Sequence, residues 1–327
     1  ATLKANAYGH GLLTIARALT DTDAIGVARL HEAIVLRDGG ITKPIVLLEG
    51  CFDKEDLPLL VRYNLQTVVH CHKQLEDLTS SILEKPLVVW LKVDTGMHRL
   101  GFDPHHYQLV LRQLKQCDNV AEDIVLMSHL ACADEPNSLH TQQQIQLFNQ
   151  LSNQFVGQRS LANSAALIAW PQTHFEWVRP GVSLFGVSPL VEGCLSNFSF
   201  LPVMTLTSRL IAIREQSAGD FIGYGASYQC PANTKLGVVA IGYGDGYPRH
   251  AKTGTPVLIN GREVPLVGRV SMDMITVDLG IDSTDQIGDK VTLWGQGLPV
   301  EKIATCADTI AYELLCNITP RVYINIV

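Results

Sequence analysis

The chain has 327 residues, of which 46% are apolar and 17% charged, with a formal net charge of −7. This balance excludes a disordered polyelectrolyte, and the length suits two domains, because single cores stop growing near this size. The negative charge and the lack of a basic stripe with interleaved aromatics argue against nucleic acid as a partner, and no apolar run reaches membrane-spanning length.

The chain opens at Ala1 without a Met, and Ala1-Thr2-Leu3 reads as the tail of a strand. That start suggests a fragment or processed product, with the first strand beginning before Ala1. The absence of a signal peptide points to the cytoplasm. Short apolar runs then alternate with helical stretches. Strands are expected at 24–27, 45–48, 67–69, 87–93 and 124–129, with a weaker one before Asn163. Helices are expected at 12–19, 32–37, 73–83, 107–116 and 142–151. His70-Cys71-His72 follows the apolar run 65–69 and reads as a strand end rather than a metal site. Strand-then-helix order means parallel strands joined by crossovers, either a barrel or a doubly wound sheet. Short polar tails after the strands favour the barrel, whose chemistry gathers at the C-terminal ends of its strands.

After Pro202 the texture becomes β-rich, with strands expected at 203–214, 236–241, 255–259, 274–279 and Lys290–Trp294. Asn260-Gly261 between two apolar runs is a type I′ hairpin signal. Short helices near 300–307 and 309–315 and a closing strand at 322–327 complete the pattern. Residues 1–202 thus form an α/β domain and 203–327 a mostly β domain. The eight cysteines (Cys51, Cys71, Cys117, Cys132, Cys194, Cys230, Cys306 and Cys316) are scattered without metal-ligand spacing. They read as reduced thiols of a cytoplasmic protein, with no metal implied.

The octet Lys4-Ala5-Asn6-Ala7-Tyr8-Gly9-His10-Gly11 carries the most chemical information. A lysine at a strand end can point into a barrel mouth, where partial desolvation favours the neutral, nucleophilic amine. Tyr8 lies one turn further on, with a hydroxyl suited to phosphate. A lone lysine beside a glycine-rich loop would more often face solvent. The full octet, however, resembles the cofactor-lysine motif of alanine racemases, fold type III enzymes that use pyridoxal 5'-phosphate.

The resemblance recurs along the chain. The block Leu91-Lys92-Val93-Asp94-Thr95-Gly96-Met97-His98-Arg99-Leu100-Gly101 is similar to that family's carbamylated-lysine and substrate-arginine motif. Ser128-His129, Asn163-Ser164-Ala165 and Arg179-Pro180-Gly181-Val182 resemble its active-site histidine, phosphate and pyridine-nitrogen segments. Gly223-Tyr224-Gly225, Gly242-Tyr243-Gly244-Asp245-Gly246-Tyr247, Arg269-Val270-Ser271-Met272-Asp273 and Ala311-Tyr312-Glu313 match second-domain motifs.

This resemblance implies an N-terminal (β/α)8 TIM-like barrel followed by a mostly β C-terminal domain, in a homodimer with shared active sites. It also implies an alanine substrate, interconverted between L and D forms to supply peptidoglycan or to catabolise alanine. Lys4 would form the Schiff base with the cofactor and serve one face of the substrate's α-carbon. Tyr224, from the partner subunit, would serve the other, assisted by His129. Tyr8, Asn163, Ser164, Gly181, Val182 and Tyr312 would hold the phosphate region, and Arg179 would face the ring nitrogen. Arg99, oriented by a carbamylated Lys92, would bind the substrate carboxylate and the cofactor's phenolic oxygen. Met272, Asp273 and Tyr243 would line the substrate pocket, with Arg269 near its entrance. Ser271 stands where some relatives carry cysteine. The Tyr224 motif and the Lys92–Arg99 block argue against a decarboxylase of the same fold. A broader-specificity racemase remains open. A non-catalytic cofactor carrier would need neither Tyr224 nor the second domain.

Overall fold

Short runs of Val, Ile and Leu, most of them buried on both faces, build the first half of the protein. The computed structural model describes residues 1–191 and 199–327, so Cys194 lies outside the described residues. The chain divides into two compact units: Ala1–Leu184 with Ser188–Phe200, and Phe185–Val187 with Leu201–Val327.

In the first unit, strands β1 (Ile25–Val27), β2 (Ile45–Leu47), β3 (Gln66–Val69), β4 (Val89–Lys92), β5 (Val125–Met127) and β6 (Gln158–Ser160) pair in that order. Every pairing is parallel. The intervening helices are α1 (Lys4–Tyr8), α2 (Leu12–Ala18), α3 (Leu30–Asp38), α4 (Leu57–Arg62), α5 (His72–Thr79), α6 (Tyr107–Lys115), α7 (Leu139–Ser152) and α8 (Ser164–Ala169).

Two short segments close the sheet into a ring. Thr2 bridges Gly26 of β1, and Trp177 bridges Ser160 of β6, both in parallel. The Thr2 N–H donates to the Pro180 carbonyl at 2.8 Å, joining these segments to each other. Eight positions therefore surround the interior, as a (β/α)8 barrel requires. Val46, Val68, Trp90, Val125 and Met127 fill part of it, with Trp177 packed against them. Because successive strand residues alternate faces, Trp90 and Met127 fix where their i+2 neighbours Lys92 and His129 point.

One expected helix is shorter than predicted, and one helix was not expected. The segment expected at 73–83 stops at Thr79, because the Ser80 and Ser81 hydroxyls donate back to the carbonyls of Glu76 and Asp77. The pattern did not anticipate α4, which starts with Pro58 in its first turn. His70 turns its Nε2 toward the Glu49 carbonyl at 3.2 Å, and the His72 ring meets Phe102 edge-on.

The second unit holds β7 (Leu206–Gln216), β8 (Phe221–Ile222), β9 (Tyr228–Gln229), β10 (Thr234–Val239), β11 (Pro256–Ile259), β12 (Arg262–Pro265), β13 (Ile275–Asp278) and β14 (Lys290–Trp294), then α9 (Val300–Cys306) and α10 (Ala311–Cys316). Its antiparallel sheet runs β12-β11-β14-β7-β10-β13. Asn260 and Gly261 both take positive φ, 47° and 79°, as the type I′ turn demands. The closing strand expected at 322–327 is absent. The segment turns at Thr319–Val322 and leaves Tyr323 and Ile326 exposed, because alternating apolar residues make a strand only where a sheet edge offers hydrogen bonds.

Candidate active site

Lys4 leaves the ring directly after the Thr2 bridge, at the end where the barrel strands finish. The next four residues, Ala5, Asn6, Ala7 and Tyr8, have φ of 54°, 55°, 53° and 52°. They make one left-handed turn without a glycine, a conformation that costs about 1–2 kcal/mol per residue. Such a turn survives only where its surroundings over-determine it. The Ala7 N–H donates to the Leu3 carbonyl at 2.8 Å, and Gly9 N–H to Ala5 at 3.1 Å. Asn6 Oδ1 accepts the Leu12 N–H at 2.9 Å, fixing the start of α2. His10 Nδ1 donates to the carbonyls of Tyr8 and Ala7 at 2.9 and 3.1 Å. Burial pushes the His10 pKa below 6.5 despite those carbonyls.

The turn carries Tyr8 against Gly181. A side-chain carbon on Gly181 would lie 2.5 Å from the Tyr8 hydroxyl oxygen, so only glycine allows this approach. The buried Ser164 Oγ accepts the Gly181 N–H at 2.7 Å and lies 3.1 Å from Ser183 Oγ. Asn163 spends its side-chain oxygen capping α8, accepting the Ala166 N–H at 3.0 Å. Val182 is buried beside this cluster in sequence. Tyr8, Ser164, Gly181 and Ser183 thus gather hydroxyls and backbone N–H groups in one cradle, a donor set that suits a phosphate.

Nearby, cations accumulate. Arg179 donates to Ser160 Oγ at 2.5 Å and to the Ser128 carbonyl at 2.6 Å, and desolvation lowers its pKa to about 10. Lys92 is 6% exposed, and its pKa falls to about 8 through desolvation first, then Arg179, Arg99 and Lys4. His129 is held well below 6.5 by desolvation and the same cations. Arg179 Nη2 lies 3.4 Å from His129 Nδ1, and a guanidinium only donates. The proton of the neutral His129 ring therefore sits on Nε2. Four cationic side chains sharing one mouth call for anions.

Arg99 ends a tight loop begun by Asp94. Desolvation opposes ionisation of Asp94, but the N–H groups of Gly96 and His98 outweigh it and hold the carboxyl below its usual range. Beneath the loop, Gln144 donates to the His129 carbonyl at 3.0 Å and to Thr95 Oγ1 at 3.3 Å. Thr95 Oγ1 in turn meets Ser128 Oγ at 2.8 Å. This buried network ties the Arg99 loop to His129.

The second unit carries the remaining candidates. Tyr224 is 69% exposed between Gly223 and Gly225, whose φ values are 71° and 70°. The Arg269 guanidinium packs over Gly225. Tyr243 N–H donates to the Ser271 carbonyl at 3.0 Å and Gly244 N–H to Met272 at 2.8 Å, which locks two loops together. Arg321 clamps the same pair, reaching Asp245 at 2.9 Å and Asp273 at 2.8 Å. Met272 and Asp273 are exposed, and Tyr312 opens α10 half-buried.

Sequence reasoning therefore gathers Lys4, Tyr8, Lys92, Arg99, His129, Asn163, Ser164, Arg179, Gly181 and Val182 in the first unit, and Tyr224, Tyr243, Met272, Asp273 and Tyr312 in the second. It missed Ser183, Gln144 and Arg321. Ser183 follows directly on the Arg179–Val182 motif and was within reach. Gln144 and Arg321 lie far along the chain from what they hold and leave no local signal.

The alanine racemase N-terminal domain matches residues 1–189, and the alanine racemase C-terminal domain matches 203–326. The chain belongs to the alanine racemase family. It is 56% identical over 322 residues to an alanine racemase of Shewanella sediminis (strain HAW-EB3), covering 98% of this chain and 90% of that one. A relative named alanine racemase from Vibrio atlanticus (strain LGP32) is 56% identical over 320 residues, covering 98% and 89%. Among solved structures, the biosynthetic alanine racemase of Pseudomonas aeruginosa superposes with a TM-score of 0.94 at 43% identity, covering 98% of this chain and 90% of that chain. The alanine racemase of Bartonella henselae with covalently bound pyridoxal phosphate gives 0.88 at 29% identity, covering 98% and 90%.

The depressed Lys92 has a measurable consequence. Its buried ammonium costs stability in full below pH 8, and the cost fades as the pH rises from about 8 toward 10.5. The shift corresponds to roughly 3 kcal/mol at most. In carbonate-free buffer Lys92→Met should melt above the parent chain at pH 7, with the gap closing by pH 10. Calorimetry at both pH values measures it, and an equal gap at both would contradict this account.

Proposed function

We propose that this chain interconverts L- and D-alanine with pyridoxal phosphate, with Lys4 on one face of the substrate and a partner subunit's Tyr224 on the other. The observation that carries this reading is the barrel mouth, where a hydroxyl and N–H cradle adjoins four cations. The phosphate would rest on the hydroxyls of Tyr8, Ser164 and Ser183 and on the N–H of Val182, with Gly181 leaving room beside Tyr8 and the Tyr312 hydroxyl as a further candidate donor. When bound, pyridoxal phosphate supplies an electron sink for the pair left at the α-carbon. Lys4 Nζ would hold the cofactor covalently and then move the proton on its face.

Tyr224 Oη would move the proton on the opposite face, because inversion needs one acid/base group on each side. His129, neutral and protonated at Nε2, is suited to donate a hydrogen bond that eases ionisation of a phenol. Arg99 would take the substrate carboxylate. Arg179, a permanent cation, would keep a proton off the ring nitrogen and so restrain side reactions. Lys92 has a pKa near 8, which leaves roughly a tenth of its amine neutral at pH 7. That amine can add to carbon dioxide, forming an N–C bond and releasing a proton, and the resulting carbamate anion would orient Arg99.

Tyr224, Tyr243 and Met272 are 69%, 41% and 53% exposed, which supports their completing a site on another surface. A homodimer, each second unit capping its partner's barrel, meets that need. Every described cysteine is a free thiol, in keeping with a cytoplasmic place and a role in supplying D-alanine to peptidoglycan or in alanine catabolism.

Borohydride should fix the cofactor on Lys4, and peptide mapping to Lys92 would overturn the assignment. Gly181→Ala should displace the Tyr8 hydroxyl and weaken cofactor retention by about ten-fold, read by equilibrium dialysis. Tyr224→Phe should keep the cofactor and lose racemisation by roughly two or more orders of magnitude. Co-refolding inactive Lys4→Ala and inactive Tyr224→Phe chains should recover up to about a quarter of the parent activity, since each mixed dimer retains one intact site. Proven mixed dimers without activity would rule out sharing.

A further inference from the structure

We infer that Glu32 is the positioning residue for Lys4, holding the left-handed turn that aims it. The inference rests on Lys4 being the cofactor lysine. Glu32 sits in the first turn of α3, one βα unit along the barrel from Lys4. Its Oε1 accepts the Ala5 N–H at 2.7 Å, and its Oε2 accepts the N–H groups of Ala28 and Arg29 at 2.9 and 3.0 Å. One carboxylate therefore staples the residue after Lys4 to the loop that leaves β1. The Arg29 guanidinium pairs instead with Glu49 at 2.7 Å.

The first N–H groups of any helical turn lack an acceptor inside that turn. Ala5 is the first of the four left-handed residues, and its donor is met by Glu32 with a charge-assisted bond. The other bonds of the turn, Ala7 to Leu3, Gly9 to Ala5, His10 to Ala7, Gly11 to Asn6 and Leu12 to the Asn6 side chain, all arise within residues 3–12. Glu32 is the contact that fixes the turn's first residue to a neighbouring element. The Arg29 bond at Oε2 is the capping-box bond of α3, and the Ala28 bond beside it holds the loop that enters that helix. The Ala5 bond is the one that bears on Lys4.

Glutamine separates these roles. With its oxygen toward Ala28 and Arg29 it keeps the cap of α3, while its NH2 faces the Ala5 N–H, donor against donor. In the full-length Glu32→Gln protein, covalent attachment of pyridoxal phosphate to Lys4, followed by absorbance after adding cofactor to the apoprotein, should slow by about ten-fold or more. The kcat for alanine should fall comparably, with KM within about two-fold. Adding Ala5→Gly removes the penalty for a left-handed residue at that position and should restore most of the attachment rate.

An unchanged attachment rate and kcat, with only a lower Tm, would overturn the inference and leave Glu32 a helix cap. If Glu32→Gln is insoluble, the double variant decides. Soluble protein that attaches cofactor supports the role, and failure in the double variant overturns it. Borohydride mapping of the parent protein keeps the two readings apart. Label away from Lys4 removes the functional reading itself, whereas label on Lys4 with an indifferent Glu32→Gln removes only this inference.

Discussion

The Thr2 N–H bond to the Pro180 carbonyl, 2.8 Å long, joins the two ends of the barrel sheet. It brings segments from opposite ends of the first unit side by side, and each delivers chemistry just beyond the junction. Lys4 follows Thr2 by two residues, and the Arg179–Ser183 run surrounds Pro180. The close approach of Tyr8 to Gly181 depends on the same junction, because Gly181 directly follows Pro180 and the left-handed turn after Lys4 brings Tyr8 back to it. A sheet left open at this seam would have neither cradle nor cluster.

Electrostatics then explains why the mouth is costly and what relieves the cost. Lys92, Arg99, Arg179 and Lys4 all depress protonation of His129, and Lys92 itself is shifted to about 8. Holding the buried Lys92 and Arg179 beside Arg99 and Lys4 without anions is unfavourable, and an anion bound there would offset the cost. A phosphate, a substrate carboxylate and a carbamate on Lys92 are each of the right sign. The buried Gln144–Thr95–Ser128 network keeps the cations in register by satisfying the backbone around them.

The second unit follows a different logic. Tyr243, Met272 and Asp273 sit on two loops locked to one another by backbone bonds and by Arg321. Tyr224 is presented outward on glycines with positive φ, a geometry that places a phenol where another surface can use it.

Much of this was legible in the sequence because the determinants are local. Apolar runs of three to seven residues located β1 to β5, whereas β6, Gln158-Arg159-Ser160, has no apolar run and was expected only as a weaker strand before Asn163. Asn260-Gly261 located the hairpin, since side-chain period and turn chemistry act over a few residues. The motifs around Lys4, Lys92, His129, Arg179 and Tyr224 named the candidate site through family resemblance. The sequence alone overextended the helix after His72, where serine hydroxyls compete for carbonyls, and gave 322–327 a strand that no sheet edge receives. Only the tertiary structure decided that four non-glycine residues after Lys4 turn left-handed, against their local preference. It alone joined Thr2 to Pro180, Tyr8 to Gly181, Glu32 to Ala5 and Arg321 to Asp273. Those contacts bridge residues separated by tens to nearly two hundred positions, and no local preference of the chain encodes which of them will meet.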